Sequence, residues 1–193
     1  MPTSQVSICN LALSWVGGNL ITSLQDSSTE AKVCAANFDA SRNATLEQRD
    51  WTFASDRAIP VRIVDTPAFE YDYQFQLPTN PLCLRVTKVY SDSSFTHGIA
   101  DWAKEGDRIL CNYAAVFIKF VKELVDPSKF SPGFTQAFAA RLAADICVPI
   151  THDVELFQTY WQLFLNKIED AGSMDGLQGK TELVGAKHLI RVR

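Results

Sequence analysis

The chain has 193 residues, 47% of them hydrophobic and 21% charged, which suits one globular domain, or one domain carrying a sizeable insertion. Mean hydropathy is −0.03, and no apolar run approaches the ~20 residues that span a bilayer, so no membrane association is expected. Nine glycines, eight prolines and 11% aromatics exclude collagen, a coiled-coil rod and full-length disorder. The net charge of −4 is the opposite of the basic surplus of a phosphate-gripping protein.

Thr3 or Ser4 is suited to cap a first helix running to Val16. Its polar residues Ser7, Asn10 and Ser14 share one stripe, leaving Ile8, Cys9, Leu11, Ala12, Trp15 and Val16 for burial. Gly17-Gly18 ends it, because glycine accepts left-handed geometry after a helix. Ser27-x-x-Glu30 has the spacing of a capping box for a second helix over roughly Thr29–Arg49. Its apolar stripe, Ala31, Cys34, Ala35, Phe38 and Leu46, is thin, so one face should be wet or meet a polar neighbour.

After Trp51 the period changes to two. Tyr71, Tyr73, Phe75 and Leu77 alternate with Asp72, Gln74 and Gln76, and Leu82, Leu84 and Val86 with Arg85 and Thr87. Asp92-Ser93-Ser94 is a turn, Glu105-Gly106-Asp107 a tight hairpin turn, and Val116–Val121 a further β run. Five or six antiparallel strands are expected between residues 58 and 124.

Helical period then returns. Ser131 caps and Pro132 suits the first helical position. Phe134–Val148 is apolar nearly all round, as a central bundle helix should be, with Arg141 and Asp145 spaced to pair. Pro149 is expected to break that helix and Thr151 to cap the last one. The last helix carries two stripes: Val154, Phe157, Trp161, Phe164, Ile168 and Leu156, Tyr160, Leu163. The four helices must pack together to bury these stripes, so the two ends of the β insertion should lie close together.

These elements predict an α+β fold: a four-helix bundle (1–55 plus 125–171) interrupted by an antiparallel β insertion (56–124), with an extended C-terminal tail (172–193). The tail carries four basic residues against two acidic ones on an otherwise acidic body. That pattern fits either a docking segment or a solvated terminus.

Little in the sequence points to catalysis. Phosphate-loop, HExxH and GxSxG patterns are missing. The five cysteines are odd in number, widely spaced and set among apolar residues, as small buried hydrophobes in a protein assembled in a reducing cytosol would be. A Cys–His pair such as Cys147 with His152 is a nucleophile–base pair that the fold could assemble, but an apolar setting makes a thiol inert. Asp72 with Asp101, or Glu105 with Asp107, are the candidate acid pairs. Trp15, Trp51, Trp102 and Trp161 are expected in the core. No cofactor and no metal is expected.

Five stretches in a fixed order carry a family resemblance: ICNLALSWVGG, LQDSSTEAKVCAANFDASRNATLEQRDWTFA, FQLPTNPLCLRV, WAKEGDRILCN and VDPSKFSPGFTQAFAARLAADICVPITHD. Over Ile8–Ala171 the chain resembles the tail tubular protein A family, the head-to-tail adaptors (connectors) of short-tailed bacteriophages, or podoviruses. The resemblance implies a virion structural protein at the head–tail interface, assembled in the host cytoplasm, and no enzyme. It implies a homo-oligomeric ring of about twelve copies under the portal, joined by heterologous contacts. Such a ring prolongs the channel through which double-stranded DNA passes without specific binding, and it gives the nozzle and fibre proteins a platform. An acidic wall suits that passage, since it repels phosphate.

On this basis the bundle should form the ring and face the portal. The turns Asp92, Ser93, Ser94 and Glu105, Gly106, Asp107 should face the distal tail. The tail residues Lys187, His188, Leu189, Ile190, Arg191, Val192 and Arg193 should dock on the portal or a neighbouring copy. Two alternatives come from other classes: a small monomeric binding module docking through its basic tail, and a small cysteine or carboxylate hydrolase.

Overall fold

The computed structural model of the protein describes residues 3–177. Helix α1 is Gln5–Val16. Ser4 caps it by accepting from the Ser7 backbone N–H at 3.1 Å, and Ser7 returns the bond from its side chain. Gly17 closes it at φ +76°, donating to the Leu13 carbonyl. Buried on this helix are Ile8, Cys9, Ala12, Leu13 and Val16. Asn10, expected on the wet stripe, instead clamps the returning chain: its amide bonds both the N–H and the carbonyl of Ile21, at 2.8 and 2.9 Å.

Helix α2 is Thr29–Glu47. Its cap is Ser28 rather than Ser27, one residue later than the box spacing suggested, and Glu30 reaches out to the Asn19 side chain at 2.7 Å. Ala35 is exposed, whereas Ser41, Arg42 and Thr45 are buried beside Ala31, Cys34, Phe38 and Leu46. The thin apolar stripe is therefore completed by polar residues that have partners inside the protein.

Helix α3 is Pro132–Thr151 and α4 is Glu155–Gly176. Ser131 caps α3 with Pro132 in its first turn. Pro149 does not break α3. The helix runs one more turn, ending on His152 at φ +58°, because the His152 N–H still reaches the Val148 carbonyl at 2.9 Å. Thr151 accordingly belongs to α3 and donates to the Cys147 carbonyl; Asp153 accepts from the Glu155 N–H at the start of α4. Helix α4 also outlasts the expected Ala171. Asp175 is buried and accepts from the backbone N–H and the hydroxyl of Thr52, at 2.7 and 2.8 Å, which pins the final turn.

Helix α3 is central, packed on α1, α2 and α4. Phe134 is its anchor, with ring centroids 5.1 Å from Trp51, 5.2 Å from Phe53 and 4.9 Å from Phe130. On α4, Phe164 and Ile168 are buried and Leu156, Tyr160 and Leu163 half-buried, but Val154 and Phe157 are exposed.

Seven strands lie between the helix pairs, six of them within the expected 58–124 window and β1 at its edge: β1 (Ser55–Ala58), β2 (Val61–Ile63), β3 (Tyr73–Gln76), β4 (Cys83–Tyr90), β5 (Trp102–Glu105), β6 (Arg108–Cys111) and β7 (Phe117–Lys122). β1 and β2 escape pattern recognition because they are short and Pro60 separates them. The strands form two antiparallel sheets, β1-β7-β4 and β2-β3-β6-β5. β1 pairs with β7 from Ser55↔Val121 to Ala58↔Ile118, so the two ends of the insertion do lie together. Lys122 tightens this neck with a 2.8 Å ion pair to Asp56.

Alternation fails in two strands for physical reasons. β4 is irregular between Cys83 and Arg85 and between Val86 and Lys88, so every third residue, Cys83, Val86 and Val89, is buried. Leu84 turns instead to the helical core, and Leu82 is exposed. In β3, Gln74 is buried because its amide donates to the Asp65 carbonyl and accepts from Arg108. Two hydrophobic cores result. One is helical and includes Val121 and Leu124; the other lies among the strands around Phe75, Ile109, Ile118 and Phe120.

Candidate functional site

The turn at Asp92 is built around one carboxylate. Its Oδ1 accepts from the backbone N–H of Ser94 at 2.9 Å and from the Ser94 hydroxyl. Its Oδ2 accepts from the His97 backbone N–H at 2.9 Å and lies 3.0 Å from His97 Nδ1. The Ser94 hydroxyl, then the His97 donors, hold the carboxyl well below the usual carboxylate range. Phe95 takes φ +56° and seats its ring on Tyr90, at 4.7 Å in an edge geometry, with the Arg57 guanidinium 5.3 Å from its centroid. Ser93 and Ser94 are exposed on the rim of this knot. β4 starts against the helices and ends at Tyr90, so the knot sits at the far end of the β unit.

The Glu105–Asp107 turn is the hairpin the sequence indicated. Glu105 pairs with Arg108, and Gly106 takes φ +58°, a value suited to glycine. Asp107 accepts from the Gln76 amide at 2.8 Å, which lowers its pKa. This turn is not beside Asp92. Lys104 reaches the Leu84 carbonyl at 3.4 Å and the Asp107 carbonyl bonds the Leu77 N–H, which puts the hairpin at the helix-proximal end of β4. Lys187, His188, Leu189, Ile190, Arg191, Val192 and Arg193 lie outside the described residues.

Among the described residues no hydrogen bond joins Cys147 to His152, Asp72 to Asp101 or Glu105 to Asp107. Cys147 is buried on α3, bonded to the Ala144 carbonyl, and burial pushes its thiol up. His152 is exposed at the end of that helix. Asp72 and Asp101 have separate neighbours: the Asp72 N–H bonds Asn112, and Asp101 takes a long 3.5 Å bond from Tyr71. All five cysteines are free and buried. The neighbouring Cys34 thiol, together with burial, raises the Cys9 thiol far above its ordinary value. Burial also pushes Cys83 up to about 11. Among the described residues no three His, Cys, Asp or Glu side chains are grouped to hold a metal, and no helix is long and apolar enough to cross a membrane.

Sequence patterns missed the polar network where α2 meets the β unit. Arg42, 2% exposed, reaches Asp39 and, at 2.7 Å, Glu123; Asn43 donates to the same Glu123 oxygen at 2.9 Å. At the residue next to Arg42, the Ser41 hydroxyl binds Asp145, as does Arg141, and the Arg141 guanidinium lies 4.7 Å from the Trp161 centroid. Of these bonds only Arg141–Asp145 was expected from the sequence, although Asp39 and Arg42, three apart, have a pairing spacing too. Above the network, two adjoining notches of about 360 and 430 Å³ share Gln48 and Arg85. A separate, apolar cleft of about 350 Å³ opens between the start of α3 and the end of α4.

No protein-family model matches the chain, and no curated protein matches it.

Proposed function

We propose that the protein is a virion structural protein of a short-tailed bacteriophage: a head-to-tail adaptor forming a ring of about twelve copies beneath the portal, and not an enzyme. In this role the helices build the ring against the portal. The β unit carries the Asp92–Ser94 knot toward the nozzle and fibres, and the basic tail docks on the portal. Double-stranded DNA crosses the ring without being bound. The protein assembles in the host cytoplasm and ends at the head–tail interface.

The observation that supports this proposal is the division of the chain into two bodies on one neck. A helical core holds both ends of the described chain, and a separately cored β unit projects from it on the β1–β7 pair. A ring adaptor needs that division, with one body to close the ring and another to present a distal surface. The ordered motifs over Ile8–Ala171 are the basis on which this family is proposed.

Native mass spectrometry with and without the portal tests it. A multiple of the 21.5 kDa chain, in the free protein or on the portal, is expected. A chain that stays monomeric with portal present would overturn the proposal in favour of a monomeric binding module.

A further inference from the structure

Strand register brings Asp72 and Asp101 to one end of the β2-β3-β6-β5 sheet. Across β3, β6 and β5, Tyr73 lies beside Cys111 and Cys111 beside Trp102. One residue further out, Asp72, Asn112 and Asp101 therefore stand in a row, at the opposite end of the sheet from the Glu105–Asp107 hairpin. Neighbouring strands are ~4.8 Å apart, so the two aspartate backbones are separated by about 10 Å, with Asn112 between them. The Asp72 N–H bonds Asn112 Oδ1 at 2.9 Å, and the Tyr71 hydroxyl reaches Asp101 at 3.5 Å, which ties the three strand ends together.

The same end carries the most exposed large apolar side chains of the β unit. The 64–72 loop joins β2 to β3 here, and on it Val64 is 92% and Phe69 80% exposed. Glu70 takes φ +74°, which an ordinary residue adopts only under constraint, and the Tyr71 N–H bonds the Phe69 carbonyl at 2.9 Å. The loop thus turns sharply just after Phe69. Tyr113, beside Asn112, is 45% exposed. An apolar group of this kind, rimmed by polar residues, marks an interaction site.

The charges around it are Glu70, Asp72 and Asp101, and among the described residues none of the three makes an ion pair. The cations of this sheet are engaged. Arg62 lies 4.2 Å from the Tyr73 centroid, Arg108 bonds Gln74 and pairs with Asp107, and Lys104 reaches the Leu84 carbonyl. Partial burial, then the charges of Glu70 and Asp101, raise the Tyr71 phenol, so the aromatic group sits in a negative field. The surface therefore complements a partner that is apolar and cationic.

We infer that this end of the sheet is a docking surface for an arginine-bearing, otherwise apolar segment of another protein, with guanidinium groups bonded to Asp72 and Asp101 and apolar side chains on Phe69 and Val64. Arginine fits better than lysine. Its planar fork bonds a carboxylate with two parallel N–H groups while its face lies on an aromatic ring, as Arg62 already lies on Tyr73, whereas an ammonium is a point charge. Nucleic acid is repelled by the same carboxylates. The contact needs no ring and stands without the adaptor proposal; under that proposal the segment belongs to the nozzle or fibres.

The test titrates the full chain with a fluorescein-labelled hexapeptide of alternating leucine and arginine, read by anisotropy, and repeats it with lysine for arginine. The arginine form should bind about threefold more tightly. Asp72→Asn with Asp101→Asn, both at exposed positions, should leave the circular dichroism unchanged and weaken binding about tenfold, the effect of losing two exposed ion pairs. Phe69→Ser should weaken it about threefold, for one exposed apolar contact. With p-benzoylphenylalanine in place of one leucine, irradiation should link the peptide to residues 64–72 or 101–113. No binding, equal affinity for the lysine form, binding indifferent to either variant, links outside those segments, or displacement by a short DNA duplex would each overturn the inference. So would a loss of self-association in Phe69→Ser by sedimentation, which would assign the surface to a second copy of this chain. Because no portal is present, failure of the peptide to bind leaves the adaptor proposal standing. A monomeric mass with portal would in turn leave the docking surface standing.

Discussion

Arg42 shows how a charged residue comes to be buried on a helix that looks merely polar. Its guanidinium is desolvated, which is costly, and the cost is met by Asp39 and Glu123. Removing the cation leaves the negative charge of Glu123, whose side chain is only 25% exposed, with the neutral Asn43 amide as its remaining donor. Arg42→Ala should therefore cost about 3 kcal/mol of stability by urea denaturation. A loss below about 1 kcal/mol would mean that water replaces the guanidinium at no penalty. Asp92 makes a different case, since it is a surface carboxylate held by a ring of donors. Its folded-state pKa is depressed, so its contribution is complete above the unfolded-chain value of about 3.9 and is lost as pH falls through the lower folded value. Carboxyl carbon NMR should show Asp92 titrating below the other exposed aspartates, with the His97 amide moving in step. An ordinary titration midpoint with a static His97 amide would refute the knot.

At the scale of elements, the end of α4 depends on residues outside α4. Gly172 sits where a Cβ would meet the Arg49 Cδ at 2.5 Å, so Arg49 lies directly across the helix. One turn on, Asp175 is fixed by Thr52, which precedes β1. Composition cannot reveal this. Gly172, Ser173 and Gly176 look like the start of a tail, and only partners from another part of the chain make them helical. Thr52→Val removes one of the two donors to a buried carboxylate and should cost about 1.5 kcal/mol. It should also raise amide hydrogen exchange at residues 173–177 well above that at 160–170. Equal protection in both stretches would show that α4 is held by its apolar face alone. The same logic explains Pro149: the helix survives a missing N–H because the bonds on either side of it are made.

For the whole molecule, the neck strand β7 serves both cores. Val121 faces the helices, whereas Ile118 and Phe120 face the strands. The two bodies are thus tied through one strand's opposite faces, and the polar network at Glu123 lies just beyond it. Under the adaptor proposal the bodies also divide the work, and the tail supplies the docking. Deleting Lys187–Arg193 should abolish stable assembly on portal-containing heads, measured by sedimentation, and those heads should lose their DNA. Heads that assemble and retain DNA with the truncated chain would rule out the anchor.

The sequence by itself determined the element order, the caps Ser4, Gly17 and Ser131, the hairpin at Gly106, the closeness of the insertion's ends and the centrality of α3. Each follows from local chemistry or from the need to bury an apolar stripe. Tertiary structure alone decided the rest. Irregularities in β4 redirected Leu84 to the helices, because an extra residue in a strand reverses its faces. Buried partners drew Ser41, Arg42, Gln74 and Asp175 inside, because a polar side chain is buried where donors and acceptors from distant segments converge. The Asp92 and Glu105 turns, both acidic turns between strands, were sent to opposite ends of the β unit by pairings that no local pattern encodes.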